Sequence, residues 1–248
     1  MPHESPILGI PEFDDRVGRY LPSGWVALLM GDSGAGLQLL AKQFARQALE
    51  ASPVHYYTTY ERPEDIRRTY ADYGWNSDGV VITNLSEEYY AQVLDRELEV
   101  SRARERGLRY QDLREAAPVV VAPPLVRPTS RVLTDLSALD TRFRIVLDSL
   151  DFVLEVAPEA EVLAVVRQMR RRTQMLGGQA LVVLQADVHE RRVVGLLEDL
   201  ADLLLDLRSV ERDGEFHPTL TVRKVRNHPE LTKRIPLKST SSGFVVEG

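Results

Sequence analysis

Cysteine is absent from the 248 residues, which removes disulfides, thiol nucleophiles and thiolate metal sites from consideration. Long apolar runs are missing as well. None approaches the roughly 18 residues that a membrane-spanning helix needs, so no membrane span is expected. The opening stretch MPHESPILGIPEF has no basic segment followed by an apolar one, so a secretory signal is not expected and a cytoplasmic location fits. An excess of positive charge is also lacking. The formal net charge of −6 argues against a generally basic nucleic-acid binder, so nucleic acid is not an expected partner. Lysine is scarce: Lys42, Lys224, Lys233 and Lys238 are the only lysines among 31 basic residues. The arginine bias reads as genome composition or heat adaptation; a dedicated phosphate-reading surface is the lesser reading. The histidines show no pair at metal-ligand spacing, and no G-x-S-x-G nucleophile elbow occurs. The remainder is ordinary globular material, 44% hydrophobic and 27% charged, which excludes disorder as the main state.

Periodicity divides this material into alternating elements. WVALLM (Trp25–Met30) reads as a buried strand after a turn at Pro22, Ser23 and Gly24. A glycine-rich stretch, Gly31–Gly36, comes next, and then a helix marked by Leu37, Leu40, Ala41, Phe44 and Ala48. Val54–Thr59 is a second strand. Pro63 opens a helix with Ile66, Tyr70 and Tyr73 on one face, and GVVIT (Gly79–Thr83) is a third strand. Residues 84–130 break the rhythm. Glu87–Arg106 reads as a charged helix with a weak stripe through Tyr89, Val93 and Val100. Pro118, Pro123, Pro124 and Pro128 then predict an irregular or extended connection. We read 84–130 as a helical and Pro-rich insertion, either a solvated elaboration or an arm for a protein partner. Alternation resumes with a helix through Val132, Leu133, Leu136 and Leu139, then the strand FRIVL (Phe143–Leu147) ending at Asp148. A helix through Val162, Val165, Val166, Met169 and Leu176 leads to the strand ALVVL (Ala180–Leu184), ending at Gln185. Antiparallel strands follow from about Leu203, with Asp213-Gly214 as a hairpin turn. RQMRRR (Arg167–Arg172) reads as a solvated helix face, with an acidic partner or nucleic acid as the alternative. No internal repeat occurs, so residues 1–248 read as a single domain.

Strand, glycine-rich loop, helix and repeated strand–helix units predict an α/β fold, a parallel sheet covered on both faces. Ligands in such sheets sit at the carboxyl ends of the strands. Gly31–Gly36, Glu61, Asp148 and Gln185 all fall at or just past such ends. A phosphate-binding loop of the form G-x-x-x-x-G-K-[ST] uses backbone N–H groups and the following helix N-terminus as its cradle, a lysine on the β- and γ-phosphates, and a hydroxyl on Mg²⁺. Here the stretch is Gly31-Asp32-Ser33-Gly34-Ala35-Gly36-Leu37-Gln38. The glycine spacing fits, but Leu37 stands where the lysine belongs and Gln38 where the Ser/Thr belongs. Losing the lysine removes a charge-assisted contact of roughly 1.5–3 kcal/mol. Asp32 adds negative charge beside the cradle, and Lys42, one turn further on, is not expected to reach back. Two readings stay open: a loop kept as a fold element, or one that binds ATP and Mg²⁺ weakly.

These segments resemble the KaiC-like branch of the RecA superfamily of P-loop ATPases, and the resemblance covers most of the chain. GIPEFDDRVGRYLPSGWVALLMGDSGAG is similar to the family's opening through its P-loop. YYTTYERPEDIRRTYADYGW resembles the second strand with its acidic catalytic position. RIVLDSLDFVL resembles the Walker B strand, and VRKVRNHPELTKRIPLKSTSSGFVVE the C-terminal hairpins. The resemblance implies a RecA-like P-loop domain: a mainly parallel twisted sheet flanked by helices, with C-terminal antiparallel hairpins. Carried over by position, Asp148 matches the aspartate that holds Mg²⁺ through water. Glu61 matches the second of two acidic residues that activate the attacking water, with Tyr60 at the first. Gln185 matches a γ-phosphate sensor. Lys224 and Arg226 match basic residues that reach a neighbouring subunit's γ-phosphate. The bland alternatives are a strand-end cap for Asp148, a helix cap for Glu61, a strand-end tie for Gln185 and a solvated strand face for Lys224 and Arg226. With Gly31, Ser33, Gly34, Ala35, Gly36, Leu37 and Gln38 as the cradle, the resemblance implies a homo- or hetero-oligomer with related P-loop subunits. In it, this chain is a non-catalytic or very weak ATPase with a regulatory or assembly role. The rival readings are an active ATPase with a rearranged loop and a RecA-type nucleic-acid binder.

Overall fold

In the structure, a computed structural model, residues 7–46, 52–105, 126–212 and 214–247 are described. The strands in chain order are β1 (Trp25–Gly31), β2 (Val54–Thr58), β3 (Val80–Asn84), β4 (Arg144–Asp148), β5 (Gln179–Gln185), β6 (Leu203–Arg212), β7 (Glu215–Val225), β8 (Lys233–Thr240) and β9 (Gly243–Val246). The helices are α1 (Pro11–Val17), α2 (Leu37–Arg46), α3 (Pro63–Asp72), α4 (Leu85–Glu105), α5 (Pro128–Ala138), α6 (Leu150–Val156), α7 (Glu159–Leu176) and α8 (Arg191–Leu200).

Every side chain of β1 is buried, as a strand covered on both faces requires. It is the middle strand of one sheet ordered β3-β2-β4-β5-β1-β6-β7-β8-β9. The two-residue period of a strand sends Ala27 and Leu29 to one face and Val26, Leu28 and Met30 to the other. The first face meets Leu37, Leu40, Ala41 and Phe44 of α2. The second meets Val162, Val165, Val166 and Met169 of α7 and Val193 and Leu197 of α8. β3, β2, β4, β5, β1 and β6 run parallel. The register sets Gly31 against Gln185 and Leu207, and Thr58 against Asp148. The expected site residues at these strand ends therefore lie along one edge.

β6 pairs antiparallel with β7 on one side, as expected for the C-terminal part, and parallel with β1 on the other. It is the strand where the parallel sheet passes into the antiparallel ribbon β7–β8–β9. Arg212 pairs with Glu215, and Gly214 takes φ +81, as a two-residue hairpin turn demands; Asp213 lies outside the described residues.

Helices start where the sequence places proline. Pro63 and Pro128 each occupy a first helical position, behind an extended residue, Arg62 or Arg127. Pro128 thus opens α5 instead of extending the irregular connection, because its fixed φ suits a first turn. Pro118, Pro123 and Pro124 lie outside the described residues, as does Ala48. α4 is anchored at its start: Tyr89 and Tyr90 set their rings 5.9 and 5.6 Å from Phe152, and Glu88 pairs with Arg131 at 2.9 Å. In the Arg167–Arg172 run, Arg170 lies 3.6 Å from Asp202, and Arg167 and Arg171 are exposed, as on a solvated face. Among the described residues, no helix is long and apolar enough to cross a membrane.

Candidate functional site

The loop between β1 and α2 is shaped by close approaches. A Cβ on Gly31 would fall 2.1 Å from the Leu207 carbonyl oxygen, so β6 reaches the loop only because Gly31 has no side chain. Gly36 takes φ +96, and a Cβ there would lie 2.6 Å from the Phe244 ring of β9. The C-terminal hairpin thus presses on the loop itself.

The side chains that follow point to different surroundings. Leu37 is 3% exposed and belongs to the core on the α2 face. Lys42, also buried, places its Nζ 2.5 Å from Glu61 Oε1. The lysine does not return to the loop, as expected from its position. Glu61, the carboxylate matched to the water-activating position, is thus held in an ion pair. Glu61 is further fixed by its own N–H donating to Thr58 Oγ1 (3.0 Å) and by Asn84 Nδ2 donating to its carbonyl (3.1 Å). Its neighbour Tyr60 is exposed.

Asp148, at the end of β4, is 2% exposed. The Tyr56 hydroxyl donates to its Oδ2 at 2.5 Å, while Oδ1 is buried without a hydrogen-bond partner. Burial raises its pKa from the usual 3.8 to about 6, opposed by the Tyr56 hydrogen bond and by Lys42. The same pairing pushes the Tyr56 hydroxyl well above its ordinary value, burial being the first cause and Asp148 the next.

Ser33, Leu37, Gln38, Tyr60, Ser149 and Gln185 surround a hollow of about 260 Å³. Gly31, Ser33, Gly34, Ala35, Gly36, Leu37, Gln38, Glu61, Asp148 and Gln185 therefore share one edge of the sheet. Asp151 also faces this hollow. Its Oδ1 accepts the Gln185 N–H (3.0 Å) and lies 2.6 Å from His189 Nε2. Asp32, the negative charge in the loop, meets Arg208 Nη1 at 2.6 Å, and Arg208 also contacts Asp187 at 3.1 Å and Asp206 at 2.7 Å.

Lys224 and Arg226 lie apart from this edge. Lys224 pairs across the ribbon with Leu204, and its Nζ donates to the Glu198 carbonyl at 2.7 Å. Arg226 donates from Nε to Asp202 (2.6 Å) and from Nη2 to the Asp199 and Ala201 carbonyls (2.8 and 2.9 Å). Both cations cap the C-terminal end of α8, where unpaired carbonyls and the helix dipole attract positive charge.

Sequence reading did not find the roles of Tyr56, Asp151, His189 and Arg208. Asp151 sits three residues past Asp148, in the first turn of the helix that follows β4, so the strand-end position of Asp148 was the signal that could have found it. Arg208 is 176 residues from Asp32, and no local signal joins them.

The unpartnered Asp148 Oδ1 fits the carboxylate a hydrated divalent cation requires. Leu37 and Gln38 supply neither the cation nor the hydroxyl a triphosphate requires, and Lys42 is paired with Glu61. The donor set thus meets the metal at one point and does not fit ATP with Mg²⁺ as a whole. Among the described residues, no group of three or more His, Asp or Glu could hold a metal by itself.

A family model described as "ATPase: KaiC" matches residues 7–248. The chain is 26% identical to a UPF0273 protein of Pyrococcus furiosus over 245 residues, covering 96% of this chain and 92% of that one. It is likewise 26% identical to a UPF0273 protein of Thermotoga maritima over 246 residues, covering 96% and 93%. The solved structure of the KaiC-like protein PH0186 from Pyrococcus horikoshii superposes over 100% of both chains with a TM-score of 0.63 at 21% identity, a likeness of fold.

Proposed function

Since the chain belongs to the KaiC ATPase family, we infer that it is a KaiC-like protein with a degenerate Walker A loop, a non-catalytic or very weak ATPase acting as a regulatory or assembly subunit. One observation carries this reading: Leu37 is packed into the core at the lysine position, while the nearby Lys42 is bound to Glu61. Removing a phosphate-contacting cation costs roughly 1.5–3 kcal/mol, about tenfold to hundredfold in affinity. Glu61 is held by Lys42, so its carboxylate is not free to orient a water molecule without giving up that contact. ATP and Mg²⁺ then bind weakly or not at all.

The assembly half of the reading rests on the family and on the retained cations. Lys224 and Arg226 serve α8 within their own chain, so reaching a neighbour's phosphate requires releasing those caps. The 84–130 segment is the proposed contact for a protein partner. Its exposed Tyr90, Leu94 and Leu98 recur every fourth residue on α4.

The rival reading is an ATPase that uses Glu61 and Asp148 through a rearranged loop, and it draws on the buried, unpartnered Asp148 Oδ1. Steady-state phosphate release separates the two. We expect release at background with Mg²⁺ and ATP, unchanged in Glu61→Gln; turnover that disappears in Glu61→Gln overturns the silent reading. Light scattering of the chain alone and mixed with related P-loop subunits tests the assembly role, which a monomer under every condition contradicts.

A further inference from the structure

A cavity of about 440 Å³ opens on the α8 face of the sheet, beyond the ends of β1 and β5. It lies across the sheet from α2 and meets the loop hollow at Gln185. Its floor is apolar: Met30, Leu184 and Val194, with Gly195 of α8. Its rim carries Arg191 from the start of α8, Arg223 from β7 and His189 from the turn between β5 and α8, together with two carboxylates, Asp187 on Arg208 and Glu198 on Arg223.

Gly195 is the telling residue. Glycine is among the least favourable residues inside a helix, roughly 1 kcal/mol worse than alanine, a cost that a close neighbour can explain. Here a Cβ would meet nothing within 4 Å. Packing within the chain gives no reason for the missing side chain, whereas an occupant of the cavity does, because Gly195 lines it.

The charges point to the occupant's chemistry. Arg191 makes no ion pair or hydrogen bond among the described residues. Arg223 makes one ion pair, to Glu198 at 3.1 Å, and is exposed. Arg208 is already surrounded by Asp32, Asp187 and Asp206, and so serves as a fixed wall and not as a free donor. Two guanidinium groups from separate elements, each able to give paired N–H donors, suit the oxygens of a phosphate group. The apolar floor beneath them suits a flat, uncharged body attached to it.

We propose that this cavity is a binding site for a small phosphate monoester of mononucleotide size, gripped by Arg191 and Arg223 with its uncharged body against Gly195. The Asp151–His189 contact then joins the site to Gln185 in the loop hollow. The proposal does not depend on whether the loop binds ATP.

Calorimetric titration of the full chain with AMP, ribose 5-phosphate and inorganic phosphate tests it. We expect saturable 1:1 binding of AMP, stronger than ribose 5-phosphate. It should weaken about tenfold or more in Arg191→Gln and in Arg223→Gln. Gly195→Ala should raise the melting temperature of the unliganded protein while weakening AMP binding. Gln38→Glu, which puts a carboxylate in the loop hollow, should leave AMP binding unchanged. No saturable binding up to about 10 mM, an affinity too weak for a built site, overturns the proposal. Binding that ignores Gly195→Ala and Arg223→Gln, or that falls in Gln38→Glu, overturns it too, the last by moving the ligand to the loop.

Discussion

Asp148 shows how a single site residue sets a cost for the fold. Its carboxyl is almost fully buried, and its pKa is pushed up to about 6. A group whose folded pKa lies above its unfolded value holds its proton more tightly in the native state. Its favourable contribution is therefore complete below about pH 4 and lost as pH rises to about 6. Asp14, raised to about 6 by burial as well, contributes in the same direction. Asp148→Asn keeps an acceptor for the Tyr56 hydroxyl and removes the buried charge. Urea unfolding should find it more stable than the wild type by about 1–3 kcal/mol at pH 7.5, with a shallower decline between about pH 4 and pH 6, the remainder belonging to Asp14. An Asn variant less stable at pH 7.5 would contradict the assignment. The residue types at this edge were legible, since Gly31–Gly36, Glu61, Asp148 and Gln185 could be placed from strand ends alone. Their partners were not. Lys42 with Glu61, Tyr56 with Asp148 and Asp32 with Arg208 are joined by packing across the sheet, and no periodicity records such pairs.

Elements were easier to read than their pairings. Unbroken apolar runs gave β1, β4 and β5 nearly to the residue, and proline at a first helical turn marked α3. The same reading misjudged Pro128, because a cluster of prolines looks like loop until one of them is seen to fit a helix start. β6 was foreseen on its antiparallel side. Its parallel pairing with β1 depends on which strand the chain returns to, and composition does not encode that choice. The strand face carrying Lys224 and Arg226 proves to be tied to the end of α8. Asp202 lies 2% exposed in its side chain, 2.6 Å from Arg226 and 3.6 Å from Arg170. Arg226→Ala should therefore destabilise by about 2–4 kcal/mol, since it leaves a buried carboxylate with one distant cation and two carbonyls unpaired. Lys224→Ala, which uncovers one carbonyl at a partly exposed site, should cost about 1 kcal/mol or less. Thermal melts of the two variants decide it; equal small losses would return both residues to a solvated face.

At the scale of the whole molecule, the chain keeps the sheet, the loop and the strand-end carboxylates of a P-loop ATPase. In the function proposed above, Leu37 is an aliphatic side chain standing where a phosphate-binding cation is expected. The fold follows from buried strands and helix faces, which do not depend on that one position, and this is why fold and activity can part company. The direct measurement is isothermal titration of Mg²⁺ and ATP into the wild type and into Leu37→Lys combined with Gln38→Thr. The account predicts little or no saturable heat for the wild type and a gain of about tenfold or more for the double variant. Tight wild-type binding that the double variant does not improve would contradict it.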